Sequence, residues 1–69
     1  MKPDFNAYLN RVFATTNEVT TAELPLENDS DFVCAMMLAM CDECKVKPLQ
    51  GSIKKNGYSI PNLVVRRCR

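Results

Sequence analysis

The chain has 69 residues, nine Lys or Arg against eight Asp or Glu for a net charge of +1, four cysteines, two glycines and no histidine. A chain this short has room for a single small domain spanning residues 1–69, with a core that yields only about 3 to 5 kcal/mol unless something staples it. Near-neutral charge gives no overall pull toward nucleic acid or an anionic membrane. The missing histidine removes the commonest general base, and Gly51 and Gly57 alone cannot form a phosphate-cradling loop.

Pro3 and Asp4 form a helix start, with proline tolerated in the first turn and a carboxylate near the positive end of the dipole. Phe5, Tyr8, Leu9, Val12 and Phe13 follow at i, i+3, i+4, i+7 and i+8, which predicts an amphipathic helix of about ten residues. Thr15, Thr16 and Asn17 compete for the backbone and end it. Thr20 and Glu23 have the spacing of a capping box, with Val19 and Leu24 as its hydrophobic staple, so a short second helix is expected at Thr20 and is cut off by Pro25. Leu26 should tuck into the core, and Asp29 or Ser30 should cap a third helix running to about Cys44.

That third helix holds the longest apolar run, Phe32 to Cys41. At roughly 100° per residue its apolar side chains, among them Phe32, Val33, Met36, Met37 and Met40, spread over about 240° and leave Asp31, Ala35, Ala39 and Asp42 to water. A surface helix needs a stripe only a little wider than about 100°. The surplus is either covered by loops and a hairpin within the monomer, or meets a second copy or a partner protein through Phe32, Val33, Met36, Met37 and Met40.

Beyond Lys45 the pattern becomes extended. Lys45-Val46-Lys47 alternates, Pro48 blocks helix, and Gly51 permits a turn or bulge. Asn56-Gly57 between Ser52-Ile53-Lys54-Lys55 and Tyr58-Ser59-Ile60 fits a type I′ hairpin turn, which places Lys55 opposite Tyr58 and Ile53 opposite Ile60. Leu63-Val64-Val65 extends the second strand past a bulge at Pro61-Asn62, with a short terminal helix capped by Asn62 as the alternative. Arg66, Arg67 and Arg69 are expected to be exposed. The fold class is therefore α+β, three N-terminal helices followed by a C-terminal β-hairpin.

Val19 to Leu24, Ser30 to Lys45, Lys45-Val46 and the Lys54-Lys55-Asn56-Gly57-Tyr58 tip, in that order, resemble a small winged helix-turn-helix domain. The resemblance implies DNA binding and transcription regulation, the third helix entering the major groove and the wing touching phosphates. The sequence departs from that pattern in the third helix, where Asp31, Asp42 and Glu43 stand in place of the Arg, Lys, Asn or Gln that read base edges. What remains is a basic surface of Lys45, Lys47, Lys54, Lys55, Arg66 and Arg67, with Tyr58 as a stacking or hydrogen-bonding partner for double-stranded DNA. All eight acidic residues precede that cluster in the chain. Hairpin lysines also serve as edge protection against aggregation, and terminal arginines as a solvated tail.

Two functions follow as expectations. The first is a homodimeric winged-helix-like DNA-binding regulator contacting phosphates through its wing and C-terminus. The second is a small protein-binding adaptor or inhibitor acting through the Met-rich helix. An enzyme is not expected, since Ser30, Ser52 and Ser59 have no base partner. Neither a cofactor nor a metal is expected. On a continuous helix Cys34 and Cys41 lie roughly 10 Å apart, too far to share one zinc with bonds of about 2.3 Å. A site using Cys34, Cys41, Cys44 and Cys68 together needs the helix to end near Met40. The N-terminal MKPDFNAYLN carries no apolar signal region and the apolar run is half a membrane span, so a cytoplasmic protein with reduced thiols and no membrane contact is expected.

Overall fold

A computed structural model describes residues 3–68 of the chain. In order they form helix α1 (Phe5–Val12), strand β1 (Glu18–Thr20), a 3₁₀ turn (Thr21–Glu23), helix α2 (Asp29–Met40), and strands β2 (Lys45–Lys55) and β3 (Tyr58–Arg66). The class is α+β, but the expected three helices and hairpin are replaced by two α-helices and a three-stranded antiparallel sheet in the order β1-β3-β2.

The correction turns on Glu18 to Glu23. Glu23 does reach back, accepting from the Thr20 N–H at 3.0 Å, yet with Pro25 so close the segment closes only one 3₁₀ turn, too short to offset the cost of helix nucleation. Val19 and Thr20, β-branched, take the alternative open to them and pair as a strand, Val19 opposite Val65 and Thr20 opposite Val64.

α1 is eight residues long, with Asp4 as its N-cap accepting from the Ala7 N–H at 3.0 Å. Tyr8, Leu9 and Phe13 are buried, with Phe5 and Val12 packed against the same core. α2 is capped by Asn28 rather than Asp29 or Ser30, its Oδ1 accepting from the Asp31 N–H at 2.8 Å, and it ends at Met40 rather than near Cys44.

The orientation of α2 reverses the expectation. Its buried residues are Asp31, Cys34, Ala35, Leu38 and Ala39, a stripe at i, i+3, i+4, i+7 and i+8 centred on the side the sequence assigned to water. Size decides this. Alanine and cysteine let the helix axis approach β3 closely, whereas Met37 and Met40 on that side would hold it away. Asp31 is tolerated inside, only 5% exposed, because both its oxygens are bonded, Oδ1 to Arg11 Nη1 at 3.3 Å and Oδ2 to the Glu27 N–H at 3.1 Å.

The hairpin has the register the Asn-Gly turn dictates, Lys55 opposite Tyr58 and Ile53 opposite Ile60. Asn56 and Gly57 both have positive φ, 52° and 83°, as a type I′ turn requires. The ladder is irregular where Pro61-Asn62 was expected to bulge: the register shifts between Pro48 and Ser52, opposite Leu63 and Pro61, with the extra residues on β2, where Gly51 adopts φ 82°. β3 continues to Arg66, so no terminal helix forms. Pro61 is accommodated in this central strand because β1 reaches only as far as Val64. Beyond β1 the Thr21 hydroxyl takes over, donating to the Pro61 carbonyl at 2.7 Å and accepting from the Leu63 N–H at 3.1 Å. Leu24, Leu26, Leu38, Ile60 and Val65 close the core between the helices and the sheet.

Candidate nucleic-acid interface

The cross-strand register sorts the basic residues by face, since paired residues of an antiparallel ladder share a side of the sheet. Lys47 pairs with Val64, Lys54 with exposed Ser59, and Arg66 with Glu18. All three cations stand on the face away from the core: Ser59, Val64 and Arg66 each flank a buried residue of β3, Ile60, Leu63 or Val65, with the inward phase switching between Ile60 and Leu63 at the register shift. Lys55 pairs with Tyr58 and therefore faces the helix side of the hairpin. The two lysines adjacent in sequence thus serve opposite faces.

The β2–β3 hairpin tip is docked rather than extended into solvent. Asn56 Nδ2 donates to the Leu26 carbonyl at 2.8 Å, the Tyr58 hydroxyl donates to Asp29 Oδ1 at 2.6 Å, and the Tyr58 ring stacks on Phe32 with centroids 5.0 Å apart. These contacts press the hairpin tip against the start of α2. They also commit Tyr58, the expected stacking residue, to α2. The hydrogen bond to Asp29, with some desolvation and the Asp29 and Asp31 charges behind it, pushes the Tyr58 phenol above its ordinary pKa.

The other cations are tied to differing degrees. Lys45 lies 3.7 Å from Asp42, Arg66 Nε donates to the Glu43 carbonyl at 3.0 Å, and Arg67 donates to Asn10 Oδ1 at 2.6 Å. Arg11 bridges Glu27 and Asp31. Among the described residues only Lys47, Lys54 and Lys55 are cations with neither an ion pair nor a hydrogen bond from the side chain. Arg69 lies outside the described residues.

On α2 the expected interface set divides. Val33, Met37 and Met40, at i, i+4 and i+7, are 42%, 46% and 69% exposed. Phe32 and Met36 are half-buried against the core. Val46 and Leu49 add exposed apolar surface on β2. No acidic or basic side chain interrupts the α2 stripe, so it presents nothing that hydrogen-bonds a base edge.

The cleft between α1 and α2, about 200 Å³, is lined by Asp4, Ala7, Tyr8, Arg11, Ser30, Asp31 and Cys34. Burial, and after it the charges of Asp31 and Asp4, raise the Cys34 pKa. Burial, followed by Asp31 and Cys34, raises that of Tyr8. Both shifts oppose the ionised form a nucleophile needs.

Two features were beyond sequence reasoning. Cys44 and Cys68 form a disulfide, where reduced thiols were expected, and Cys41 lies beside it. The pairing depends on where α2 ends and how β3 returns, neither of which spacing encodes. The second is the tether from Tyr58 to Asp29, for which a tyrosine directly after a turn gives no signal. Among the described residues no helix is long and apolar enough to cross a membrane. No protein-family model, curated protein or solved structure matches the chain.

Proposed function

We propose that the protein is a small winged-helix-like regulatory protein that binds double-stranded nucleic acid through the phosphates, with its wing and outer sheet face rather than with a groove-reading helix. The observation that carries this is the set of uncommitted cations: Lys47, Lys54 and Lys55 all lie on β2, exposed and without acidic partners, and Arg66 shares the outer face with Lys47 and Lys54. Phosphate contacts of this kind hold a duplex with little sequence information. Acidic Asp29, Asp42 and Glu43 keep the ends of α2 off the backbone, so α2 is left to join two copies through Val33, Met37 and Met40.

The test is a fluorescence-anisotropy titration against a labelled random duplex at low salt and at several higher salt concentrations. Four phosphate contacts give a log-log slope of about −3.6. Lys54→Glu combined with Lys47→Glu should abolish binding while leaving the circular dichroism spectrum unchanged. Absence of binding at low salt sinks the proposal.

A second reading, a protein-binding adaptor or inhibitor, is favoured by the same α2 stripe, since an exposed apolar row on a helix already buried on its other side marks a contact surface. Met37→Asp separates the readings. It dissociates a dimer of the first kind in sedimentation velocity, whereas in the second it removes binding of the partner protein and leaves the sedimentation of the isolated chain unchanged.

A further inference from the structure

Three sulfurs converge where α2, β2 and the end of β3 meet. α2 stops at Met40, and Cys41 takes an extended backbone. The Cys44 and Lys45 N–H groups both donate to the Cys41 carbonyl, at 2.9 and 3.1 Å, closing a tight turn that folds Cys44 back toward Cys41. The Arg66 N–H donates to the Cys44 carbonyl at 2.8 Å, which brings the end of β3 alongside and delivers Cys68 to the same place. The sulfurs of Cys41, Cys44 and Cys68 lie within 4.8 Å of one another. Cys34, buried under α2, belongs to the core instead.

A disulfide uses two of these sulfurs and gives the third no part. In a tetrahedral zinc site with Zn–S bonds of about 2.3 Å, neighbouring sulfurs are about 3.8 Å apart, a spacing the cluster reaches once the Cys44–Cys68 bond is opened and the half-buried Cys41 and Cys68 side chains rotate about the buried Cys44. We propose that the reduced protein binds one Zn²⁺ through Cys41, Cys44 and Cys68, with water in the fourth position, and that the Cys44–Cys68 disulfide is the oxidised, metal-free form of the same site. This does not depend on nucleic-acid binding.

The chemistry balances. Two electrons and two protons from a dithiol reductant, which is itself oxidised to a disulfide, open Cys44–Cys68 to two thiols. Zn²⁺ then displaces three thiol protons to solvent and leaves a site of net charge −1. Lys45 and Arg67, each next in sequence to a ligand, supply compensating charge; Asp42 and Glu43 oppose it, with Asp42 held 3.7 Å from Lys45. Soft thiolates select zinc over harder divalent ions.

The test is an anaerobic Co²⁺ titration of the fully reduced 69-residue chain. The expected result is one equivalent bound, with thiolate-to-cobalt charge-transfer bands and tetrahedral visible bands, both abolished by one equivalent of Zn²⁺. Cys41→Ser and Cys68→Ser should each weaken binding by more than the roughly 10- to 100-fold cost of losing an outer-shell partner, and Cys34→Ser should leave it unchanged. Should a serine variant fail to fold, protection in the Cys34→Ser background decides: zinc should shield all three remaining thiols from iodoacetamide. Absence of charge-transfer bands, binding indifferent to Cys68→Ser, alkylation unaffected by zinc, or one metal shared between two chains would each overturn the site.

Discussion

The Tyr58 hydroxyl and the Asp29 carboxylate meet at 2.6 Å across 29 residues of chain, joining the hairpin tip to the first turn of α2. Asp29 also sits in the first turn of α2, near the positive end of its dipole. Tyr58→Phe keeps the stack on Phe32 but removes this bond. Amide exchange at Tyr58, Ser59 and Ile60 should accelerate while α1 is unaffected. Asp29→Ala should loosen the same residues, and the double variant should loosen them no further than either alone, the non-additivity expected of one shared contact. Equal acceleration in α1 would mean global destabilisation instead of a local tether.

Arg11 and Asp31 form the other long-range clamp, between α1 and α2. Arg11 has two carboxylate partners in unequal settings, the Asp31 side chain 8% exposed and the Glu27 side chain 65% exposed. Asp31→Ala removes a buried acceptor that also holds the Glu27 N–H, and should cost about 2 kcal/mol. Glu27→Ala breaks only a solvated pair and should cost less than about 0.5 kcal/mol. Urea denaturation of the two variants checks the contrast, and equal losses would refute it.

The clamp explains why α2 was misread from sequence while α1 was not. In α1 the large apolar residues and the helical period agree, so Phe5, Tyr8, Leu9, Val12 and Phe13 identify the inner face unaided. In α2 nearly every side chain is apolar, hydropathy carries no phase, and the face is chosen by side-chain size and by an aspartate that becomes acceptable inside only once Arg11 is placed beside it. The hairpin was legible because Asn-Gly fixes register locally. β1 was not, because three residues next to a capping signal become a strand only when β3 arrives to pair with them. The candidate interface divides the same way: charge segregation reveals the basic C-terminal hairpin, but which cations are engaged, by Asp42, the Glu43 carbonyl or Asn10, is set by tertiary contacts.

Alkaline pH should expose Tyr8. Its hydroxyl donates to the Pro25 carbonyl at 2.7 Å inside the core, and burial, reinforced by the neighbouring Asp31 and Cys34, raises its pKa well above the ordinary 10.0. The fold therefore favours the neutral phenol. Below pH 10.0 folded and unfolded chains are both protonated at this site and its contribution is constant. Above that value the unfolded chain ionises first, so stability falls as pH rises, by about 1.4 kcal/mol per pH unit for this residue, until the folded phenol also titrates. Tyr8→Phe should cost about 1 kcal/mol at neutral pH through the lost hydrogen bond and should flatten the alkaline decline. Urea midpoints at a series of pH values, wild type against variant, read both effects. An unchanged alkaline slope in Tyr8→Phe would assign the decline elsewhere.

Thr21 gives the sharpest test of how the sheet is completed. Its side chain is fully buried, and its single hydroxyl serves two backbone groups of β3, donating to the Pro61 carbonyl and accepting from the Leu63 N–H. Valine has nearly the same shape but no hydroxyl. Thr21→Val therefore leaves packing intact and strands the buried Leu63 N–H, while the part-buried Pro61 carbonyl loses its donor, so a loss of about 1 to 3 kcal/mol is expected for an unsatisfied group. Serine keeps the hydroxyl and loses only a methyl, at a cost of about 1 kcal/mol. If hydrogen bonding is what holds β3 beyond the end of β1, Thr21→Val is the more damaging change; if methyl packing holds it, Thr21→Ser is. Thermal unfolding of the two variants distinguishes these outcomes, and accelerated exchange at the Leu63 amide in Thr21→Val alone would locate the loss at the bond itself.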